Sequence, residues 1–112
     1  MIEGEWVSCE IADGETASDE CDLGRVYETV IVQLPALTSG TIAVQGGKYE
    51  GDTAKDIYTY NPADGHIDQM ITAATTGDYF CVFPIGGFQY ITFVSGASQS
   101  GGDTIYCQGV RS

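Results

Sequence analysis

Basic residues are scarce in this chain. Four Lys and Arg stand against 16 Asp and Glu, a formal net charge of −12 over 112 residues. Phosphate backbones and anionic lipid surfaces are bound through Lys and Arg, so electrostatic binding to nucleic acid or to a membrane surface is excluded. Histidine is scarcer still: His66 stands alone, which excludes His-rich metal sites and leaves one residue for any His-dependent mechanism. No apolar run approaches the ~20 residues that a membrane-spanning helix needs. No Cys-x-x-Cys pair occurs among Cys9, Cys21, Cys81 and Cys107, so zinc knuckles and thioredoxin-like motifs are unsupported. No segment carries the 3.6-residue apolar period of an amphipathic helix. The opening Met1-Ile2-Glu3-Gly4-Glu5 has neither a basic nor an apolar export region. The expectation is therefore synthesis in the cytoplasm, with removal of a signal as the other reading.

What the chain has is glycine and β-branched residues. Fifteen glycines punctuate it, and turn signals separate short runs of strand-forming side chains. Strands are predicted over residues 26–34 (ending at Pro35), 41–45, 56–60, 79–83, 88–95 and 103–110, with 66–72 ambiguous. Asp64-Gly65 reads as a hairpin turn, and Gly77-Asp78 and Gly86-Gly87 as further turns. Short strands at such spacing mean an all-β fold, an antiparallel β-sandwich or barrel. A chain of this length forms one domain, which buries roughly 65% of its unfolded surface. Six of the twelve aromatics lie between Tyr79 and Phe93, marking the core or the core plus an interface. Both faces of residues 88–94 are apolar: Phe88, Tyr90 and Val94 one way, Ile91 and Phe93 the other. Such a strand lies centrally beneath other chain or faces a partner.

Charge is uneven. Residues 1–28 hold nine acids and one base, a net −8, whereas residues 29–112 carry −4. Residues 1–25 therefore read as an acidic N-terminal arm ahead of a β-sandwich domain at 26–112. The arm is too polar to fold alone and is expected to order on assembly. Trp6 and Val7 are its apolar anchors, flanked by Glu3, Glu5 and Glu10. A lone Trp in such a setting suits an interface. Cys9 and Cys21 bracket the acidic loop and form a candidate disulfide; four free thiols in a reducing cytosol are the competing reading. Cys81 and Cys107 sit in strand-like runs as small buried hydrophobes.

Catalytic chemistry finds little support. His66 follows Asp64-Gly65 in a turn, and no Gly-x-Ser-x-Gly elbow appears. Carboxylate pairs for glycoside hydrolysis exist wherever 16 acids do, but they cluster in the arm. Asp13, Glu15, Asp19, Glu20 and Asp22 offer hard oxygen ligands without EF-hand spacing, and read as a solvated loop. No catalytic residue, metal or cofactor is therefore assigned. Trp6, Tyr49, Tyr58 and Tyr60 are alternatives for a sugar-binding aromatic platform, with Tyr58 and Tyr60 on one strand face.

One resemblance adds to this reading. Residues Phe80-Cys81-Val82-Phe83-Pro84, then Gly86-Gly87-Phe88-Gln89-Tyr90-Ile91-Thr92-Phe93-Val94-Ser95, a Gly96-to-Gly102 loop of Ser, Ala, Gln and Gly, and Thr104-Ile105-Tyr106-Cys107 follow one another. With Val30-Ile31-Val32-Gln33-Leu34-Pro35-Ala36-Leu37 and Gly40-Thr41-Ile42-Ala43-Val44-Gln45-Gly46 before them, this rhythm resembles small virion proteins of tailed bacteriophages over residues 26–110. The acidic, cysteine-containing arm departs from that pattern. The resemblance implies a β-sandwich or jelly-roll-like fold and a non-enzymatic role. The expected role is capsid decoration (cement), made in the host cytoplasm and located in the virion. The alternatives are a neck, tail or fibre component or, from a different class, a secreted carbohydrate-binding module. The expected partners are the major capsid protein or other virion proteins, together with copies of itself, a trimer being natural at capsomer junctions. The residues expected to make contacts are Trp6, Val7, Glu3, Glu5, Glu10, Phe88 and Tyr90.

Overall fold

The computed structural model describes residues 2–111. It is all-β, with ten strands: β1 (Ile2–Ile11), β2 (Cys21–Tyr27), β3 (Thr29–Gly40), β4 (Ile42–Gly47), β5 (Lys55–Asp56), β6 (Tyr58–Asn61), β7 (His66–Gln69), β8 (Thr75–Phe83), β9 (Phe88–Ser95) and β10 (Asp103–Arg111). Two four-stranded antiparallel sheets, β1-β10-β3-β8 and β2-β9-β4-β5, face each other, and β6-β7 is a separate hairpin. The pairings are nested: β1 with β10, β2 with β9, β3 with β8, β4 with β5. This is one long hairpin folded over on itself. The β10-β3 and β9-β4 ladders close the roll. With eight strands in two sheets, the arrangement is a jelly roll.

Period-two alternation builds the core. In β3 the side chains of Val30, Val32 and Leu34 are buried, in β9 those of Ile91 and Phe93, and in β10 those of Ile105 and Cys107. Ile11, Ile42 and Val44 join them between the sheets. Tyr27 lies buried in a slot made by two glycines, since a Cβ on either Gly4 or Gly109 would collide with its ring. β9 is central, between β2 and β4. Its Phe88, Tyr90 and Val94 are half-buried rather than fully covered.

Three expectations require correction. Residues 1–25 are not an arm: β1 pairs with β10 along most of its length, and Cys9, Ile11, Cys21 and Leu23 belong to the shared core. The boundary placed at residue 25 falls inside β2. Composition misled because the outward positions of β1 and β2 carry the acids while the inward positions are apolar. The loop between them is also held. Ser18 N–H donates to Phe93 O, Ser95 N–H to Thr16 O, and Gly14 N–H to Gln99 O. Asp13 accepts from Gly101 N–H at 2.8 Å. The buried Gln99 closes this end, donating to Ser95 Oγ and Ala97 O and accepting from Thr38 N–H.

The predicted strand over residues 26–34 is two strands, broken at Glu28. Pro35 does not stop β3, which runs on to Gly40 opposite a local irregularity of β8 at Gly77-Asp78. A residue without N–H is tolerated in a strand at such an irregularity. Gly77-Asp78 is not a turn between strands but an irregularity inside β8, both residues having positive φ. A Cβ at Gly77 would strike Pro35 O, so glycine alone fits there.

Candidate interaction surface

The outer face of the β1-β10-β3-β8 sheet carries two rows of side chains set by register. One row runs Ser8, Tyr106, Gln33, Phe80 across the four strands, and the next runs Trp6, Gln108, Ile31, Val82. Trp6 and Tyr106 are each 47% exposed, Phe80 62% and Val82 60%. From opposite edge strands the Trp6 and Phe80 rings meet edge to face, with centroids 6.3 Å apart at 64°. Together with Gln33 and Tyr106 they line a groove of about 340 Å³. The β1 ladder shifts register between Glu3 and Trp6, a bulge of the kind that re-aims a side chain. Gln108 Nε2 donates to Gly4 O at 2.9 Å and pins that bulge.

The expected contact residues divide between the two sheets. Trp6 is on the groove, Val7 is half-buried against the core, and Glu3, Glu5 and Glu10 are exposed along β1. Phe88 and Tyr90 stand on β9 of the other sheet. The Phe88 ring packs on Gly46 and against the core, which gives it a structural task. Tyr90 accepts from Gln89 Nε2, which also donates to Asp22. Loss of hydration, then the carboxylates of Asp22, Glu50 and Glu20, raise its phenol pKa. Tyr58 and Tyr60 are exposed on the β6-β7 hairpin and Tyr49 lies in the segment after β4, so these three share no element with Trp6. Sequence reasoning assigned no contact role to Phe80, Val82, Tyr106 or Gln33. The available signal was the outward phase of β8 and β10, in which apolar side chains fall on both faces.

His66 is exposed and its backbone N–H is capped by Asp64 Oδ1 at 2.9 Å. Two of the acids that offer oxygen ligands have backbone partners instead: Glu20, before β2, accepts from Gly51 N–H, and Asp22, within β2, from Gly24 N–H. Among the described residues no group of three or more His, Cys, Asp or Glu side chains could hold a metal ion.

The cysteines gather where sequence did not place them. All four are free, so the candidate Cys9–Cys21 disulfide is not formed. The Cys21 sulfur lies 3.0 Å from that of Cys107 on the facing sheet. Cys21 is also a neighbour of Cys9, and this neighbour, followed by burial, pushes the Cys9 thiol well above the usual range. Cys21 is pushed up to about 12, chiefly by the bond to Cys107, opposed by the one to Cys9 and helped by burial. Cys81, half-buried on β8, lies two strands from Cys107 across Val32.

No family model and no curated protein matches the sequence. Among solved structures the fold is similar to the crystal structure of SPBc2 prophage-derived protein YomS, with a TM-score of 0.55 and 19% identity, covering 97% of this chain and 95% of that one.

Proposed function

We propose that the protein is a non-enzymatic structural protein of a phage virion, most simply a capsid decoration (cement) protein. The observation that carries this reading is the exposed apolar face of Trp6, Phe80, Val82 and Tyr106 on one four-stranded sheet. Contiguous apolar surface on a small acidic domain marks a contact site. Aromatic side chains supply most of the energy at such sites. The flanking Glu3, Glu5 and Glu10 select a partner surface that is apolar at its centre and basic at its rim. The jelly roll is a fold of viral capsid and lectin domains, and a likeness in fold to a prophage-derived protein favours the first. Fold alone does not assign function, so the face bears the argument. A protein that binds only the assembled shell stabilises it by mass action. A trimer at capsomer junctions, built on the same face or beside it, fits that role.

The test is quantitative mass spectrometry of gradient-purified virions. A copy number near that of the major capsid protein, or one third of it, supports decoration. A few to a few dozen copies per particle move the protein to the neck, tail or fibre. Its absence from particles refutes the virion reading. One observation favours a second reading, a carbohydrate-binding module: the groove has aromatic walls for stacking on sugar rings and the Gln33 amide for their hydroxyls. Binding to a glycan array that is lost in Trp6→Ala, with no binding to capsids, would establish that alternative.

A further inference from the structure

We propose that Cys21 and Cys107 are the two halves of a latent inter-sheet disulfide, closed by a small disulfide oxidant, and that Cys9 is the reserve partner of Cys21. The argument is geometric and independent of the virion reading. Cys21 sits on β2 of one sheet and Cys107 on β10 of the other, 86 residues apart, with sulfurs 3.0 Å from each other. A disulfide bond is 2.03–2.05 Å long, so closure needs only about 1 Å of approach. Cys9, Cys21 and Cys107 all belong to one hydrophobic core, where Cys21 has Cys107 against it and Cys9 as a further neighbour. A core that needed only small hydrophobes would be served by Ala or Val.

The thiol pKa values of Cys9 and Cys21 are raised in the closed fold, by their sulfur neighbours and by burial, and the thiolate is the nucleophile. Oxidation therefore proceeds through local opening. β1 and β2 are edge strands of their sheets, so opening there exposes Cys9 and Cys21 first. The Cys21 thiolate attacks one sulfur of an oxidant such as oxidised glutathione, breaking its S–S bond and releasing one thiolate. The Cys107 thiolate then attacks the Cys21 sulfur of the mixed disulfide. The Cys21–Cys107 bond forms and the second glutathione thiolate leaves. The two cysteine protons end on the two released thiols, so two cysteines are oxidised and one glutathione disulfide is reduced. Closure ties the two sheets together across the roll, and constrains the unfolded chain over most of its length.

The experiment uses the full chain in glutathione redox buffers, followed by intact mass measurement and disulfide mapping. The expected result is loss of two hydrogens, a Cys21–Cys107 linked peptide, and Cys9 and Cys81 recovered as thiols. Persistence of four thiols after refolding in oxidised buffer overturns the proposal. So does a principal link through Cys81, or a Cys9–Cys21 link in the unsubstituted chain. In Cys107→Ala the link is expected to move to Cys9–Cys21; a reduced variant removes Cys9 from its reserve role. Cys9→Ala is expected to keep the Cys21–Cys107 link. The oxidised form should unfold at a higher urea concentration than the reduced form and lose that margin in dithiothreitol. Equal midpoints overturn the locking role.

Discussion

Replacement of Gly109 by Ala isolates the slot that seats Tyr27. Gly109 lies in β10 with no positive φ, so the backbone accepts alanine, and strand propensity alone would favour the change slightly. Sterics decide the sign. The new Cβ would stand 2.6 Å from Tyr27 Cε2 and closer still to Cγ and Cδ2. Tyr27 is 3% exposed, and its far end rests against Gly4, where the hydroxyl lies only 2.6 Å from a Cβ position. The ring therefore cannot retreat along the slot. Overpacking of this kind costs ~1–3 kcal/mol, and the ring's confinement puts the expected loss at about 3 kcal/mol. That is a large share of the ~5–15 kcal/mol that holds a domain folded. Urea unfolding followed by circular dichroism reads it directly. Tyr27→Ala opens a cavity and costs ~3–5 kcal/mol on its own. In that background Gly109→Ala should cost close to nothing, a coupling of about 3 kcal/mol in the double-mutant cycle. Additive losses, or a Gly109→Ala chain as stable as the original, would refute the claim that the slot is shaped by this ring.

Three further outcomes are expected. Trp6→Ala should weaken binding to the partner surface by ~100-fold, because burying the exposed half of a ~250 Å² side chain contributes ~3 kcal/mol at 25 cal/mol per Å²; the half already buried on the sheet puts the loss of folding stability at ~2–3 kcal/mol, so binding is compared at a temperature where both chains are folded, and capsid pelleting that is unchanged within twofold argues against this face. Gln99→Ala removes two donated bonds and leaves Thr38 N–H without its acceptor; an expected loss of ~2–4 kcal/mol is measured by urea unfolding, and hydrogen exchange should quicken at Thr38. Asp52 is held below its ordinary value of 3.8, first by the Lys48 N–H and then by that of Thr53. Its pKa is depressed on folding, so the stabilisation is present at neutral pH and is lost as pH falls through the folded-state pKa, below 3.8; a carboxyl titration followed by NMR with a midpoint at or above 3.8 contradicts this.

Strands written in local alternation were legible. β9 occupies residues 88–95, as the turn at Gly86-Gly87 implied, and β10 runs one residue beyond the predicted 103–110. The Asp64-Gly65 turn is the tip of the β6-β7 hairpin. β1 was legible too, and was overridden by charge: Val7, Cys9 and Ile11 alternate with Ser8 and Glu10. The mean composition of a half-exposed edge strand reports its outer face, and in this chain that face is acidic. Trp6 was expected to make contacts because a lone indole among acids suits an interface, and the structure places it half-exposed on the groove. No contact role was expected for its aromatic neighbours Phe80 and Tyr106, because they lie 74 and 100 residues further along the chain and only pairing brings them beside it.

The same distinction separates what each level decided. The sequence by itself determined an all-β chain, the turns at Asp64-Gly65 and Gly86-Gly87, its net negative charge, and its scarcity of Lys, Arg and His. These are properties of short windows or of totals, and short-range sterics and composition encode them. The tertiary structure alone decided that the first strand pairs with the last, that Trp6 and Phe80 close one groove, and that Cys21 meets Cys107 instead of forming a disulfide with Cys9. Those outcomes depend on register between distant strands. Many registers satisfy the local pattern of each strand, and only the simultaneous burial of every inward face selects one.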